Sequence, residues 1–328
     1  MSNKRIEPGT VVPLTELFKR VDVGDLFQKL CEAGSATGLK FFHRQGLFES
    51  VDIRGKNNYA LRTACENGHS KVVRCLRNEF GLGAEDARAD DNYALRRACS
   101  NGHLEVVRCL KESFGLGPED ARAVGNWALR LACENGHLEV VRCLRESFGL
   151  GPEDARAQDN YALRHACVNG HLEVVRCLRE EFGLRAEDAR AGNNEALRVA
   201  CATGRLEVVM YLRESFGLGP EDARVLDNEA LRWACDSGRL EVVMYLKEEF
   251  GLGAEDARAC DNYALRWACS NGNLGIVRYL RKSFGLEDDE GLKNKILELV
   301  REYGKSKVVR CVGEACGSEV TFRSGKEV

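Results

Sequence analysis

Fifteen cysteines stand in a chain of 328 residues, and their spacing bounds the chemistry open to them. Cys65, Cys99, Cys133, Cys167, Cys201, Cys235 and Cys269 fall 34 residues apart. Cys75, Cys109, Cys143 and Cys177 form a second ladder ten residues further on, continued by Tyr211, Tyr245 and Tyr279. A zinc site needs closer paired ligands, and no C-x-x-C occurs, so these thiols read as small core side chains. Cys260, in a variable connector, and Cys316, near the end, are expected to be exposed. His69, His103, His137 and His171 form a third ladder, with Arg205, Arg239 and Asn273 in later copies. A row of metal sites is conceivable there. Against it, stacked helical layers lie about 10 Å apart, too far to share a coordination sphere of about 2.1 Å.

Two charged ladders follow the same period. Arg62, Arg96, Arg130, Arg164, Arg198, Arg232 and Arg266 are one, and Asp86, Asp120, Asp154, Asp188, Asp222 and Asp256 are the other. The arginines could form a basic stripe for a polyanion. Alternatively each could fork onto a connector carboxylate in its own or the adjacent copy. No nucleophile and base are placed together, since His165 and Cys167 sit two apart on one helix and do not face each other. The recurring G-L-G-P lacks the Lys-Ser/Thr of a phosphate loop. The chain therefore reads as a non-enzyme, with no catalytic residue, no metal and no cofactor.

The elements that hold these ladders form a repeat. The string A-L-R-x-A-C recurs with Ala at 60, 94, 128, 162, 196, 230 and 264. In the unit from Asn126, Ala128, Leu129, Ala132 and Cys133 share one face of a first helix capped by Asn126. Asn135-Gly136 ends it. A second helix runs from about Leu138 to Ser147, with Val140, Val141 and Leu144 as its apolar stripe. Neither helix is stable alone at this length, so copies must stack and bury each other's faces. Leu26, Leu30, Cys31, Gly34, Leu39 and Phe42 fit the register one period earlier. The segment from Ile296 to Val312 fits it after the last good copy. The expected organisation is an N-terminal extension over 1–25, a degenerate capping repeat over 26–57, seven repeats over 58–286, a degenerate capping repeat over 287–314 and a tail over 315–328.

A period of 34 suits tetratricopeptide repeats as well, so the motif must decide. A-L-R-x-A-C-x-N-G-H-L-E-V-V resembles the ankyrin pattern T-P-L-H-x-A-A-x-x-G-H-x-x-V-V, and Asn135 to Val141 match its second half almost letter for letter. The resemblance implies an all-α, ankyrin-type solenoid of about nine stacked helix-turn-helix units, seven regular and two capping. It also implies a structural His after the Gly and a concave side lined by the first helix. The connector departs from the family. Pro118 followed by Glu119 and Asp120 reads as a helix start, so a short helical turn is expected in place of the usual β-hairpin.

Copies differ most on the first helix. Directly after the Asn come Tyr59, Tyr93, Trp127, Tyr161, Glu195, Glu229 and Tyr263; after the Arg come Thr63, Arg97, Leu131, His165, Val199, Trp233 and Trp267. The candidate binding residues are Arg97, Trp127, Leu131, Tyr161, His165, Val199, Trp233, Tyr263 and Trp267, rich in the aromatic and Arg types that anchor interfaces. The aromatic residues after the Asn could instead stack on the next layer. The expected function is a non-catalytic scaffold that binds a protein partner on the concave face; the alternative is a polyanion or nucleic-acid binder using the Arg ladder. Net charge is −3, with Lys+Arg 48 against Asp+Glu 51, which disfavours general nucleic-acid binding. No apolar run reaches the length of a membrane span and no signal peptide is read. A monomer in the cytoplasm, or in the nucleus, is expected.

Overall fold

Pro118 opens a helix because its fixed φ suits the first helical position and the acids behind it face the positive helix end. The computed structural model describes residues 21–286, and every regular element among them is a helix. The connector is thus a helical start in place of a hairpin, as Pro118 implies. The chain falls into two compact units, one ending at Asp154 and the other beginning at Ala155. The first holds α1 (Val23–Glu32), α2 (Ala36–Arg44), α3 (Gly55–Glu66), α4 (Ser70–Asn78), α5 (Ala84–Ser100), α6 (Leu104–Phe114), α7 (Pro118–Glu134) and α8 (Leu138–Glu146). The short α9 (Pro152–Ala155) lies at the boundary. The second holds α10 (Ala157–Asn169), α11 (Leu172–Glu180), α12 (Ala186–Thr203), α13 (Leu206–Glu214), α14 (Pro220–Asp236), α15 (Leu240–Glu248), α16 (Ala254–Ser270) and α17 (Leu274–Ser283). No helix among the described residues is long and apolar enough to cross a membrane.

In α7 the connector helix runs into the first helix of the repeat through a break. Ala123 is extended, and Val124, Gly125 and Asn126 follow at φ 54°, 65° and 60°. The same left-handed triplet recurs at 56–58, 90–92, 158–160, 192–194, 226–228 and 260–262. Asn, Asp and Gly dominate these positions because they alone visit that region at low cost. Asn126 is therefore not the N-cap that its position suggested. It is the third left-handed residue, and its buried Oδ1 accepts no hydrogen bond from the first helix.

The repeated apolar positions make the core. Ala128, Leu129, Ala132, Cys133, Val140, Val141 and Leu144 are at most 1% exposed, and their counterparts are buried too. First helices pack side by side, α3 on α5 on α7 in one unit and α10 on α12 on α14 on α16 in the other. Second helices form a parallel row in each. Thirteen cysteines lie among the described residues, all as thiols, and only Cys260 is exposed. Burial raises the thiols of Cys65 and Cys99 well above their ordinary value, and that of Cys31 to about 12. They pack as hydrophobes and are poor nucleophiles.

The Gly before each ladder His serves two needs. Gly102 sits at φ 76°, and a Cβ there would lie 2.6 Å from His137 Nδ1 of the next repeat. Gly102→Ala should cost about 1–2 kcal/mol from the backbone alone. Urea denaturation of the full chain checks this, and an unchanged midpoint would contradict it.

At the N-terminal end lie the helices α1 and α2, with α1 starting at Val23 and Asp22 capping it through Gly24 and Asp25 N–H. The expected C-terminal cap and tail, residues 287–328, lie outside the described residues, as do residues 1–20.

Candidate protein-recognition face

Three sets of bonds hold one repeat to the next and decide which polar residues remain for function. The His ladder is the first. His69 Nε2 donates to Glu32 O at 2.8 Å, His103 to Glu66 O at 2.9 Å and His137 to Ser100 O at 3.0 Å. Each bond satisfies a carbonyl at the C-terminus of the preceding first helix. Later copies keep it with other donors: Arg205 Nε reaches Val168 O at 3.1 Å, and Asn273 Nδ2 reaches Asp236 O at 3.0 Å. These positions are structural. Among the described residues, no group of three or more His, Cys, Asp or Glu could hold a metal ion.

The second set is a carboxylate clamp whose arginine differs from the one expected. Asp120 accepts from its own Gly117 N–H at 2.8 Å and from Arg88 of the preceding repeat, Nε at 2.9 Å and a terminal nitrogen at 3.3 Å. The pattern repeats as Arg54–Asp86, Arg122–Asp154, Arg156–Asp188, Arg190–Asp222 and Arg224–Asp256, each at 2.8–2.9 Å. The partner of each Asp is thus the Arg of D-A-R, or of D-I-R at Arg54, 32 residues upstream, and not the Arg of A-L-R. The preceding left-handed Asn adds another hydrogen bond, Asn92 to Asp120 and Asn194 to Asp222.

These carboxyls are shifted in the acid-sensitive direction. Burial acts to raise Asp120, Asp154, Asp188 and Asp222. Hydrogen bonds from the clamping Arg and the cap N–H, with the guanidinium charge, outweigh burial and leave each below its ordinary value. A depressed carboxyl contributes stability above its unfolded pKa of about 3.9 and loses it as pH falls through the folded value. Melting temperature should be level above about pH 5 and fall steeply below about pH 4. Asp222→Asn should flatten that fall, and an unaltered profile would show that the clamp is not titrating.

The third set uses the A-L-R arginines. Each folds back on its own left-handed turn: Arg96 donates to the carbonyls of Asp91 at 2.8 Å and Asp90 at 2.9 Å, and Arg232 to those of Asp227 and Leu226, both at 2.9 Å. Arg62, Arg96, Arg164, Arg198 and Arg232 also meet the residue after the Asn in the next repeat. Where that residue is aromatic the guanidinium lies over the ring, Arg62 on Tyr93 at 4.8 Å, Arg96 on Trp127 at 5.2 Å and Arg232 on Tyr263 at 4.7 Å. Where it is Glu they form ion pairs, Arg164–Glu195 at 2.6 Å and Arg198–Glu229. Tyr, Trp and Glu alternate there because each satisfies the same cation. Among the described residues each A-L-R arginine is thus engaged by its own turn.

The remaining variable row follows the A-L-R arginine. In the first unit Arg97 binds Glu66 at 2.5 Å and lies over Tyr93. Leu131 is half-buried, and Trp127, exposed by 37%, has Arg130 5.6 Å from its ring. In the second unit His165 stacks on Tyr161 with centroids 3.8 Å apart, and Trp267 tilts on Tyr263 at 5.6 Å. Val199 and Trp233 are half-buried, with Arg198 5.5 Å from the Trp233 ring. Trp267 is 38% exposed. Each unit thus carries a first-helix face of aromatic and Arg side chains over an invariant Ala, Leu and Cys core. The clamp arginines and the left-handed turn were not foreseen. The 32-residue step from each D-A-R arginine to the next Asp, and the Asp/Gly/Asn-rich run before each Asn, were the available signals.

Ankyrin repeat models match this chain, a three-copy model over 27–117, 61–154, 108–191 and 129–222 and a many-copy model over 231–281. The matches span more than half of the chain, which therefore belongs to the ankyrin repeat family. No curated protein matches it. Ankyrin repeats are protein-interaction modules and are generally non-catalytic.

Proposed function

We propose that this chain is a non-catalytic scaffold that binds a protein partner on the concave, first-helix face. The observation that carries this reading is the row His165, Val199, Trp233 and Trp267. These residues sit between core positions at most 1% exposed, yet they change type from copy to copy and keep surface open to solvent. A purely structural row would hold one residue type, as the neighbouring Arg row does. Trp233 and Trp267 are the anchors, being large, rigid and partly desolvated before binding. Leu131, Arg97 and Trp127 form the corresponding face of the first unit, and Tyr161 and Tyr263 buttress His165 and Trp267 from below.

A monomer in the cytosol or nucleus fits a core built on unbridged thiols. The polyanion reading loses its support because the A-L-R arginines are spent on turn carbonyls and on the next repeat. Replacing Trp233 and Trp267 by Ala in the full chain, with partner affinity read by calorimetry and fold by circular dichroism, tests the proposal.

A further inference from the structure

The second helices carry a regular charge pattern that α2 and α4 break, on a face that the first-helix reading does not use. In α6, α8 and α11 a Glu in the first turn pairs with an Arg three residues on, Glu105–Arg108 at 3.6 Å, Glu139–Arg142 at 3.3 Å and Glu173–Arg176 at 3.4 Å. In α13 and α15 the Glu is kept, as Glu207 and Glu241. In α4 its place is taken by Lys71, three residues before Arg74. A like-charge pair, unfavourable on a helix, thus stands where other helices have an ion pair. Asn78 likewise stands where the next second helix has Glu112 and those after it also have Glu. Neither α2 nor α4 has an acid in its first turn to complement the positive helix end.

These changes surround one space. A hollow of about 370 Å³ lies between α2 and α4, lined by the cations Lys40, Lys71 and Arg74 and by Thr37 and Asn78, which can donate hydrogen bonds. Ala36 and the buried Cys75 complete it. Glu79 holds Lys40 at 3.3 Å. Arg74 donates to Ser70 Oγ at 3.3 Å and comes within 4.0 Å of Glu105 in α6. Neither carboxylate lines the hollow. Among the described residues the Lys71 ammonium has no partner. The fold does not ask for a cation there, since Glu serves at that position in the five repeats that follow.

We infer that this hollow binds a phosphoryl group carried on a segment of a partner protein, a phosphoserine or phosphothreonine. A phosphate monoester brings close to two negative charges and three acceptor oxygens at neutral pH, which suits three cations and two neutral donors. A carboxylate brings one charge and two oxygens. Thr37, Lys71, Arg74 and Asn78 are exposed, so the hollow is open and admits a group borne on a polypeptide. Its lining has no large apolar side chain, which insertion into a lipid surface would use. The site belongs to the unit that ends at Asp154 and shares no residue with the first-helix face.

Calorimetric titration of the full chain tests this, with the blocked peptide Gly-Ala-Ser-Gly-Ala phosphorylated on its serine as the probe. The phosphopeptide should bind saturably with a Kd below about 1 mM, and the same peptide with plain Ser or with Glu should bind about tenfold more weakly or worse. Lys71→Glu puts back the residue of the following repeats, so it should keep its circular dichroism spectrum while weakening binding about tenfold. Arg74→Gln removes one charge without reversing it and gives an independent reading of the site, a loss of about threefold. Lys282→Glu makes the same charge change as Lys71→Glu on a second helix of the other unit and should leave affinity unchanged. Trp233→Ala with Trp267→Ala should also leave it unchanged, which separates this site from the first-helix face. Absence of saturable binding, equal affinity for the Ser or Glu peptide, full affinity in both Lys71→Glu and Arg74→Gln, or equal weakening by Lys282→Glu would overturn the assignment. So would inorganic phosphate binding as tightly as the phosphopeptide, because the site would then take the free anion. Binding to vesicles of phosphatidylcholine and phosphatidylserine that Lys71→Glu removes would overturn it too, because the surface would then meet a lipid.

Discussion

Asp222→Ala should destabilise the full chain by about 3 kcal/mol, the sum of a lost helix cap at about 1 kcal/mol and stranded donors at about 1–3 kcal/mol. Asp222 accepts from Gly219 N–H at 2.8 Å and from Arg190 through Nε at 2.8 Å and a terminal nitrogen at 3.1 Å. Asn194 adds another hydrogen bond. The carboxylate is nearly buried, while the Arg190 side chain is 43% exposed. After the substitution Arg190 can rehydrate, but Gly219 N–H and Asn194 lose their acceptor. Arg190→Ala should therefore cost clearly less than Asp222→Ala, because it leaves a carboxylate still capped by its own helix. Urea denaturation of both variants and of the double variant measures the coupling. Equal costs for the two single variants, or additivity in the double, would show that the clamp is not one unit.

The Arg and Asp ladders also show where sequence reasoning stopped. The 34-residue period, the two helices, the helical connector at Pro118, the buried cysteines and the structural His were all legible. Each follows from local chemistry: apolar spacing, Pro at a first helical position, a ring donor after a left-handed Gly. Which arginine meets which aspartate was not legible. Two Arg ladders and one Asp ladder share the same period, so periodicity pairs them equally well either way. The left-handed triplet at 124–126 settles the matter by breaking the connector helix from the first helix. Arg122 then projects to Asp154 of the next repeat, and Arg130 turns back towards the carbonyl of Val124. Three successive left-handed residues are costly for most side chains, and nothing in a helical pattern announces them.

The candidate face was legible in part for the same reason. Variation marked the positions after the Asn and after the A-L-R arginine alike. The first of these rows varies among Tyr, Trp and Glu because all three answer the Arg of the preceding repeat. That constraint spans a repeat boundary and is invisible within one unit. The second row, through His165, Val199, Trp233 and Trp267, meets neighbours within its own repeat, as His165 on Tyr161 and Trp267 on Tyr263, and is the stronger candidate for recognition.

Partner affinity of the Trp233→Ala, Trp267→Ala double variant tests the central claim most directly. Both indoles stand on first helices, α14 and α16, outside the Ala, Leu and Cys core, and Trp267 keeps 38% of its surface exposed. Truncating two aromatic anchors at an interface should cost more than about 2 kcal/mol of binding, at least about 30-fold in Kd. Helicity should be unchanged, because neither ring fills the core. The account predicts weakened binding with an intact circular dichroism spectrum. Collapse of the helical signal would place the two rings in the core, and unchanged affinity with unchanged fold would put the partner on another surface; either result contradicts recognition by the first-helix face.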